Sequence, residues 1–234
     1  MQSISWTALG WCLIPVVLVT AIFWRWSGST KEPLIASARM LVQLLAVGYL
    51  LVIIFAAPSL WISAAVLLVM LVAASWISIR PVKQHSGLFK PAMVALLCSV
   101  TIHLGISIGL VLDVKPWFDP QILIPLAGMY FANTMTAISL AAERFYAELA
   151  SGKDDLRARN TAFEAAMIPQ INALLAVGLV ALPGMMTGQI LSGVSPLIAV
   201  RYQVMIMAMI LGSAGIGVAL LLWQLVRTKT AHFS

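Results

Sequence analysis

Leu182-Pro183-Gly184-Met185-Met186-Thr187-Gly188-Gln189-Ile190-Leu191-Ser192-Gly193-Val194-Ser195-Pro196, closing on Arg201-Tyr202-Gln203, breaks one strongly apolar run and opens another. It holds three glycines, two prolines, paired methionines and several neutral polar groups, but no acid. The flanking runs, about 165–182 and 202–226, are each near the ~20 residues a membrane-spanning helix needs. Helix breakers between two such runs require the freed backbone to be hidden in protein or to line a cavity. The stretch therefore predicts a polytopic helical membrane protein whose working part includes 183–201.

Composition agrees. The chain is 62% hydrophobic and 9% charged, with a mean hydropathy of +1.00. A soluble domain carries roughly 25% charged residues, so this chain cannot coat a globular surface. Its 234 residues allow about seven spans with short connections. The net charge of +6 then reports topology rather than nucleic-acid binding, and no nucleic-acid partner is expected. Cys12 and Cys98 both lie in apolar runs and fit neither a disulfide framework nor a zinc spacing. We expect one all-α transmembrane domain over 1–234.

The spans are expected at about Trp6–Trp24, Leu34–Ala57, Leu60–Ile79, Ala92–Leu112, Gln121–Ala142, Ala165–Leu182 and Tyr202–Val226. The first lacks a preceding basic residue and is followed by Arg25 and Lys31, the reverse of a cleavable signal peptide. Pro15 is expected to bend it. Pro33 suits the first turn of the second, which carries Arg39 and Gln43 on one face. Gly105-Ile106-Ser107-Ile108-Gly109 in the fourth is a small-xxx-small pattern, expected to let two helices approach. His103 in the same span reads as a functional group or as a histidine hydrogen-bonded between helices. After the fifth span the helix is expected to continue through Glu143, Arg144 and Glu148 to Ser151-Gly152, with Asp154 or Asp155 capping the next. That gives a charged hairpin at about 143–164. Arg227, Lys229 and His232 end the chain. With these spans, all of the fourteen basic residues but Lys115 and Arg201 fall on one side. The positive-inside rule then places the N-terminus outside, the C-terminus and the hairpin in the cytoplasm, and 183–201 on the opposite face.

No nucleotide-binding phosphate loop is present, since Gly152-Lys153 lacks the upstream glycine and the following hydroxyl. No hydrolase or metalloprotease motif appears either, so we expect no enzyme and no cofactor in this chain. The acids lie in loops or at helix ends, which disfavours a proton- or sodium-coupled carrier. The spans instead hold Gln43, His103, Asn133, Thr134, Thr136, Gln170 and Asn172, which either join helices or line a path. Met185 and Met186 are apolar filler or soft thioether donors, and the glycines serve the turn.

Several segments together are similar to the FetB-type permeases, bacterial iron-export ABC permeases related to plant aluminium-tolerance half-transporters. Leu182 to Pro196 resembles the family's L-P-G-M-M signature, and Ala199-Val200-Arg201-Tyr202-Gln203 continues it. Ile168-Pro169-Gln170-Ile171-Asn172, Ile124-Pro125-Leu126-Ala127-Gly128-Met129, and Arg39 with Gln43-Leu44 and Val47-Gly48-Tyr49 resemble further family segments. The resemblance implies a permease that pairs, as two copies, with a separate ATP-hydrolysing subunit and moves a metal cation outward across the cytoplasmic membrane. It implies a translocation and gating set of Gln43, Asn133, Pro169, Gln170, Asn172, Pro183, Gly184, Met185, Met186 and Gly188. It also implies ATPase coupling through Glu143, Arg144, Glu148, Asp154, Asp155, Arg157 and Arg159. Two departures stand out. Ala132 replaces a family glycine, and Glu148-Leu149-Ala150-Ser151-Gly152-Lys153-Asp154-Asp155 stands where the family carries a longer segment. An ATP-independent metal channel and a non-transport scaffold are the alternatives.

Overall fold

The computed structural model describes residues 5–28, 30–56 and 58–230. The expected second-span end at Ala57 and the terminal His232 lie outside the described residues, as does the side chain of Lys229. The chain forms two units, 1–57 and 58–234.

In the first unit Pro15 sets the local structure. It has no N–H and its ring crowds the carbonyl four residues back, and the helix is interrupted at that point. α1 (Trp6–Gly10) stops at Trp11-Cys12, and α2 (Leu13–Ser27) resumes beyond. The expected single first helix is thus two pieces. α3 (Lys31–Ala56) carries Pro33 in its first turn.

The second unit holds α4 (Leu60–Ser78), α5 (Phe89–Gly105), α6 (Pro120–Ala150), α7 (Asp155–Ala176), α8 (Gly184–Leu191) and α9 (Pro196–Thr230). A short 3-10 turn at Arg80–Val82 joins α4 towards α5, and a π-helical turn at Ile106–Val111 extends α5. No strand is found among the described residues. Among the described residues six helical segments are long and apolar enough to cross a membrane: 7–27 (α1 with α2), 31–56, 60–78, 89–111, 120–150 and 196–228. The chain is an all-α, multi-pass integral membrane protein. The stretch expected as a span at 165–182 is helical only to Ala176, and this helix begins in the charged hairpin at Asp155.

α6 organises the unit, packing against α4, α5, α7 and α9. Ala127, Tyr130, Thr134, Ala137, Ala141, Phe145 and Glu148 recur every three to four positions along it and are buried, the seam of an interdigitating helix bundle. On α7 the buried stripe is Ala158, Ala162, Ala166 and Gln170. Many of the fully enclosed side chains are alanines and serines: Ala92, Ala95, Ala199, Ala214, Ser63, Ser75, Ser99, Ser107 and Ser213 have no exposed area. Leu68, Val69, Val72, Leu110 and Leu197 point outward instead. A water-soluble protein would bury the large aliphatics. Where the surroundings are lipid, burying them gains little, and close approach of small residues holds the helices together.

Gly105 and Gly109 do not provide that approach, because nothing lies within 4 Å of a Cβ added at either. The close contacts come from α9. A Cβ at Gly217 would sit 2.5 Å from Thr134 Cγ2, and one at Gly212 would collide with the His103 ring.

Gly193 serves the break differently. It follows α8 at φ +91°, its N–H bonds Ile190 O at 3.0 Å, and Val194 N–H bonds Gln189 O at 3.0 Å. This pair of bonds is a Schellman cap, which needs a left-handed residue. Gly193→Ala should cost about 1–2 kcal/mol and lower the thermal midpoint of the detergent-solubilised protein. Gly188→Ala, inside α8 with open space around it, should be neutral or slightly stabilising. Parallel melts followed by circular dichroism check both.

Candidate functional site

Two regions of the second unit collect the polar chemistry, and α7 joins them. At one end α6 and α7 meet through the turn 151–154. Gly152, at φ +87°, closes it with the same cap geometry as Gly193: Gly152 N–H bonds Leu149 O and Lys153 N–H bonds Glu148 O. The Glu148 side chain is buried and receives two cations, Arg144 Nη2 at 2.5 Å from Oε1 and Lys153 Nζ at 2.6 Å from Oε2. The carboxylate thus ties the last turn of α6 to the loop beyond it. Asp154 caps α7, accepting from Arg157 N–H at 2.9 Å and pairing with Arg157 Nε at 3.1 Å. The residues expected to couple to a partner therefore divide. Arg144 and Glu148 form one cluster, Asp154 and Arg157 another, and Asp155 opens the helix. Glu143 is exposed, and Arg159 bonds only Asn160 among the contacts resolved. The His85 ring stacks on Tyr146 at 3.8 Å and 7°, fixing the α4–α5 loop to this same end.

The other end is the helix break. At 1.5 Å per residue α7, 22 residues long, reaches about 33 Å. The part of the hairpin beyond Ala142, where charges begin, takes up about 12 Å of that length. About 21 Å is left for a hydrocarbon layer about 30 Å thick, so α7 stops about 9 Å short of the far face. With the boundary taken at Ala142, residues 177–183 would be irregular backbone inside the layer. They satisfy much of their own hydrogen bonding, with Val180 N–H at 2.8 Å and Ala181 N–H at 3.2 Å from Ala176 O, and Gly178 N–H at 3.0 Å from Ala181 O. They also line a cavity of about 470 Å³, together with Leu174 on α7, Met186 on α8, and Gln203 and Met207 on α9. Irregular backbone at depth is tolerated in this setting. The cavity walls are almost wholly apolar except for Gln203, which is 6% exposed and whose Oε1 has no hydrogen-bond partner. Gln189 Oε1 on α8 is likewise buried and unpartnered. An unpaired buried amide oxygen costs about 1–3 kcal/mol, so these oxygens are poised for a donor or a cation.

Of the residues expected to line a path, Met186 reaches this cavity. Pro183 is half-buried beside it, and Gln170 is buried on the α7 stripe. Met185, Gly184, Pro169 and Asn172 are exposed, and Gly188 is half-buried in α8. Asn133 donates to Met129 O on its own helix at 2.8 Å. Gln43 belongs to the first unit and is exposed. Among the described residues no group of three or more His, Cys, Asp or Glu is placed to hold a metal.

Between the two ends lies a buried hydroxyl layer that sequence reasoning only partly found. Ser99 Oγ donates to Ser213 O at 2.6 Å, and Thr134 Oγ1 donates to Ser213 Oγ at 3.1 Å, joining α5, α6 and α9. His103 Nδ1 lies 2.7 Å from Ser99 O. A carbonyl only accepts, so Nδ1 carries a proton, and Nε2 faces Gly212. Ser107 spends its proton on His103 O at 2.7 Å, so Tyr130 O–H is the donor across 2.7 Å to Ser107 Oγ. The histidine bond is therefore within its helix, with only ring contact to α9. Three interhelical bonds at about 0.6 kcal/mol each give about 2 kcal/mol, so close packing dominates and the hydroxyls set register. The signal in the sequence was hydroxyls recurring on the inner faces of three spans.

A helical bundle of long apolar helices, with an interruption between α7 and α8 beside an apolar cavity, defines a polytopic α-helical membrane protein. The chain belongs to the uncharacterised protein family UPF0014, whose profile matches residues 6–229. A UPF0014 membrane protein of Synechocystis is 33% identical over 226 residues, covering 89% of this chain and 87% of that one. The probable iron export permease protein FetB of Escherichia coli is 28% identical over 202 residues, covering 80% and 76%. The protein ALUMINUM SENSITIVE 3 of Arabidopsis thaliana is 29% identical over 219 residues, covering 86% and 79%. No solved structure matches the chain.

Proposed function

We propose that this protein is the membrane-spanning subunit of a metal exporter, with iron as the cargo, driven by a separate ABC-type ATPase and acting as a pair of copies. The observation that carries the reading is the interruption between α7 and α8, with its apolar cavity and the unpartnered Gln203 oxygen. The relative named as an iron export permease supplies the cargo and direction. In this reading the N-terminus is outside, the hairpin and C-terminus are cytoplasmic, and the chain itself hydrolyses nothing. The hairpin receives the ATPase movement and α7 carries it to the break. Met186 and Gln203 face the cargo as it passes, and the polar shell around the cation is completed by water or a bound small ligand.

The test is co-purification with candidate ABC ATPase subunits, combined with cellular iron after an iron load. A stable complex that is lost on scrambling residues 151–159, together with iron retention, supports the reading. A chain that binds none of the subunits and leaves cellular iron unchanged when deleted overturns it. The short turn at 151–154 favours a second reading, a facilitator with no ATPase. That reading requires iron flux through liposomes holding this chain alone.

A further inference from the structure

We propose that the cavity between α7, α8 and α9 is a binding site for a neutral, largely apolar small molecule that carries one hydrogen-bond donor. Its volume of about 470 Å³ lies within the range of about 300–1,000 Å³ for small-molecule pockets, which combine apolar walls with a few placed polar groups. Leu174, Val177, Val204 and Leu211 supply aliphatic wall, and Met186 and Met207 supply thioethers. Thioethers adapt their shape and pack well on aromatic rings. Among the described lining residues Gln203 alone carries an amide, and none carries a charge. Gln203 is 6% exposed, and its Oε1 accepts no hydrogen bond.

What the site lacks is a donor, and the adjoining turn has none to give. The N–H groups of Val177 and Gly178 bond Ala173 O and Ala181 O, and those of Leu179, Val180 and Ala181 all bond Ala176 O. A bare metal cation fits poorly, because walls without charge leave its dehydration uncompensated. A water would find one side-chain partner, whereas a buried water makes two to four hydrogen bonds. An acyl chain fills the volume but leaves Oε1 unsatisfied, a cost that a ligand hydroxyl or amide N–H removes. A ring-bearing molecule with one such donor satisfies the walls, the thioethers and the amide together. Under the proposed function, on which this last step rests, that molecule is the uncharged chelating ligand that carries the metal past walls offering it no charge.

The experiment uses the full chain in detergent and two photoreactive probes: a phenol bearing a trifluoromethyl diazirine, and its methyl ether, which has the same ring but no O–H. Labelling of residues 174–211 is read by peptide mass spectrometry. It is normalised to labelling of the outward face of α4 at Leu68, Val69 and Val72, which corrects for partition into the micelle. Below saturation the phenol should label the cavity roughly tenfold more than the ether, the factor expected when one buried acceptor is satisfied. Gln203→Met keeps the side-chain length, removes the acceptor and should bring the two probes level. Ala208→Phe, at an exposed lining position, should abolish cavity labelling by both. Melting curves check that the variants fold, and the comparison of the two probes on the parent chain needs no variant. Equal labelling by the two probes on the parent chain overturns the proposal in favour of an acyl chain. Cavity labelling no higher than that of α4 overturns it in favour of a face covered by a second copy. A preference for the phenol that survives Gln203→Met also overturns it. Only binding to the chain is read, so failure of the ligand site and failure of the exporter reading are separate results.

Discussion

Gly217→Val is expected to remove nearly all folded protein from the membrane fraction. A Cβ at 217 would lie 2.5 Å from Thr134 Cγ2, with Ile138 Cδ1 and Ser99 Cβ each at 3.7 Å. Thr134 cannot swing aside cheaply, because it is fully buried and its hydroxyl donates to Ser213 Oγ. The remaining response is for α9 to move away from α6 and α5 together. Overpacking costs typically 1–3 kcal/mol, and here it also breaks the bonds through Ser213. A valine adds two methyls beyond the clashing Cβ, so the upper end of that range applies. Fluorescence-detected size exclusion in mild detergent reads the outcome as loss of the monodisperse peak. Gly109→Val, on a glycine with open space, is the control and should keep that peak. The paired Thr134→Ala, Gly217→Ala variant should recover much of it, since the Thr134 methyl that obstructs the new Cβ is then gone. A Gly217→Val chain with a parental profile would mean that α9 does not approach α6 as closely as the structure has it.

Glu148→Ala is expected to open the α6–α7 turn without unfolding the bundle. The carboxylate is the common partner of Arg144 and Lys153, and its loss leaves two cations close together at a helix C-terminus. The backbone bonds from Gly152 and Lys153 stay, so the consequence is local fraying of the kind that hydrogen exchange and proteolysis detect. Trypsin should cut after Lys153 several-fold faster in the variant, while the thermal midpoint of the bundle changes little. Under the proposed function, stimulation of the partner ATPase by this chain should fall in the same variant. Glu148→Gln should be intermediate, because it keeps an acceptor oxygen but not the charge. Unchanged cleavage in Glu148→Ala would show that the cap alone closes the turn.

The helical class, the helix before and after the hairpin, a cap at Asp154 or Asp155 and the break near Pro183 were all legible in the sequence, because each rests on local composition. Hydropathy identified apolar helices, Gly152 marked a stop, and the L-P-G-M-M segment carried the family. What was not legible depends on which face meets a neighbour. Gly105 and Gly109 have the four-residue spacing of a packing motif, yet Gly212 and Gly217, five apart and off that pattern, make the contact; only tertiary structure shows which glycines meet a neighbour. The end of α7 was hidden for another reason. Residues 177–182 are as apolar as those before them, so hydropathy runs on past the point where Gly178, at φ +82°, turns the chain. Gln203 was visible as a family residue but not as the polar group of a cavity, since its surroundings come from α7, α8 and the turn between them.

The overhang of the hairpin gives the α6–α7 pair unequal arms. Measured from the bilayer midplane, the tip is about 27 Å away and the end of α7 about 6 Å away on the other side. If the pair rocks as one stiff body about that midplane, travel at the tip reaches Ala176 reduced roughly fourfold. A swing of about 4 Å at the tip then shifts the break by about 1 Å. Under the proposed function the hairpin would then be the long arm of a balance, trading distance for force at the cavity wall.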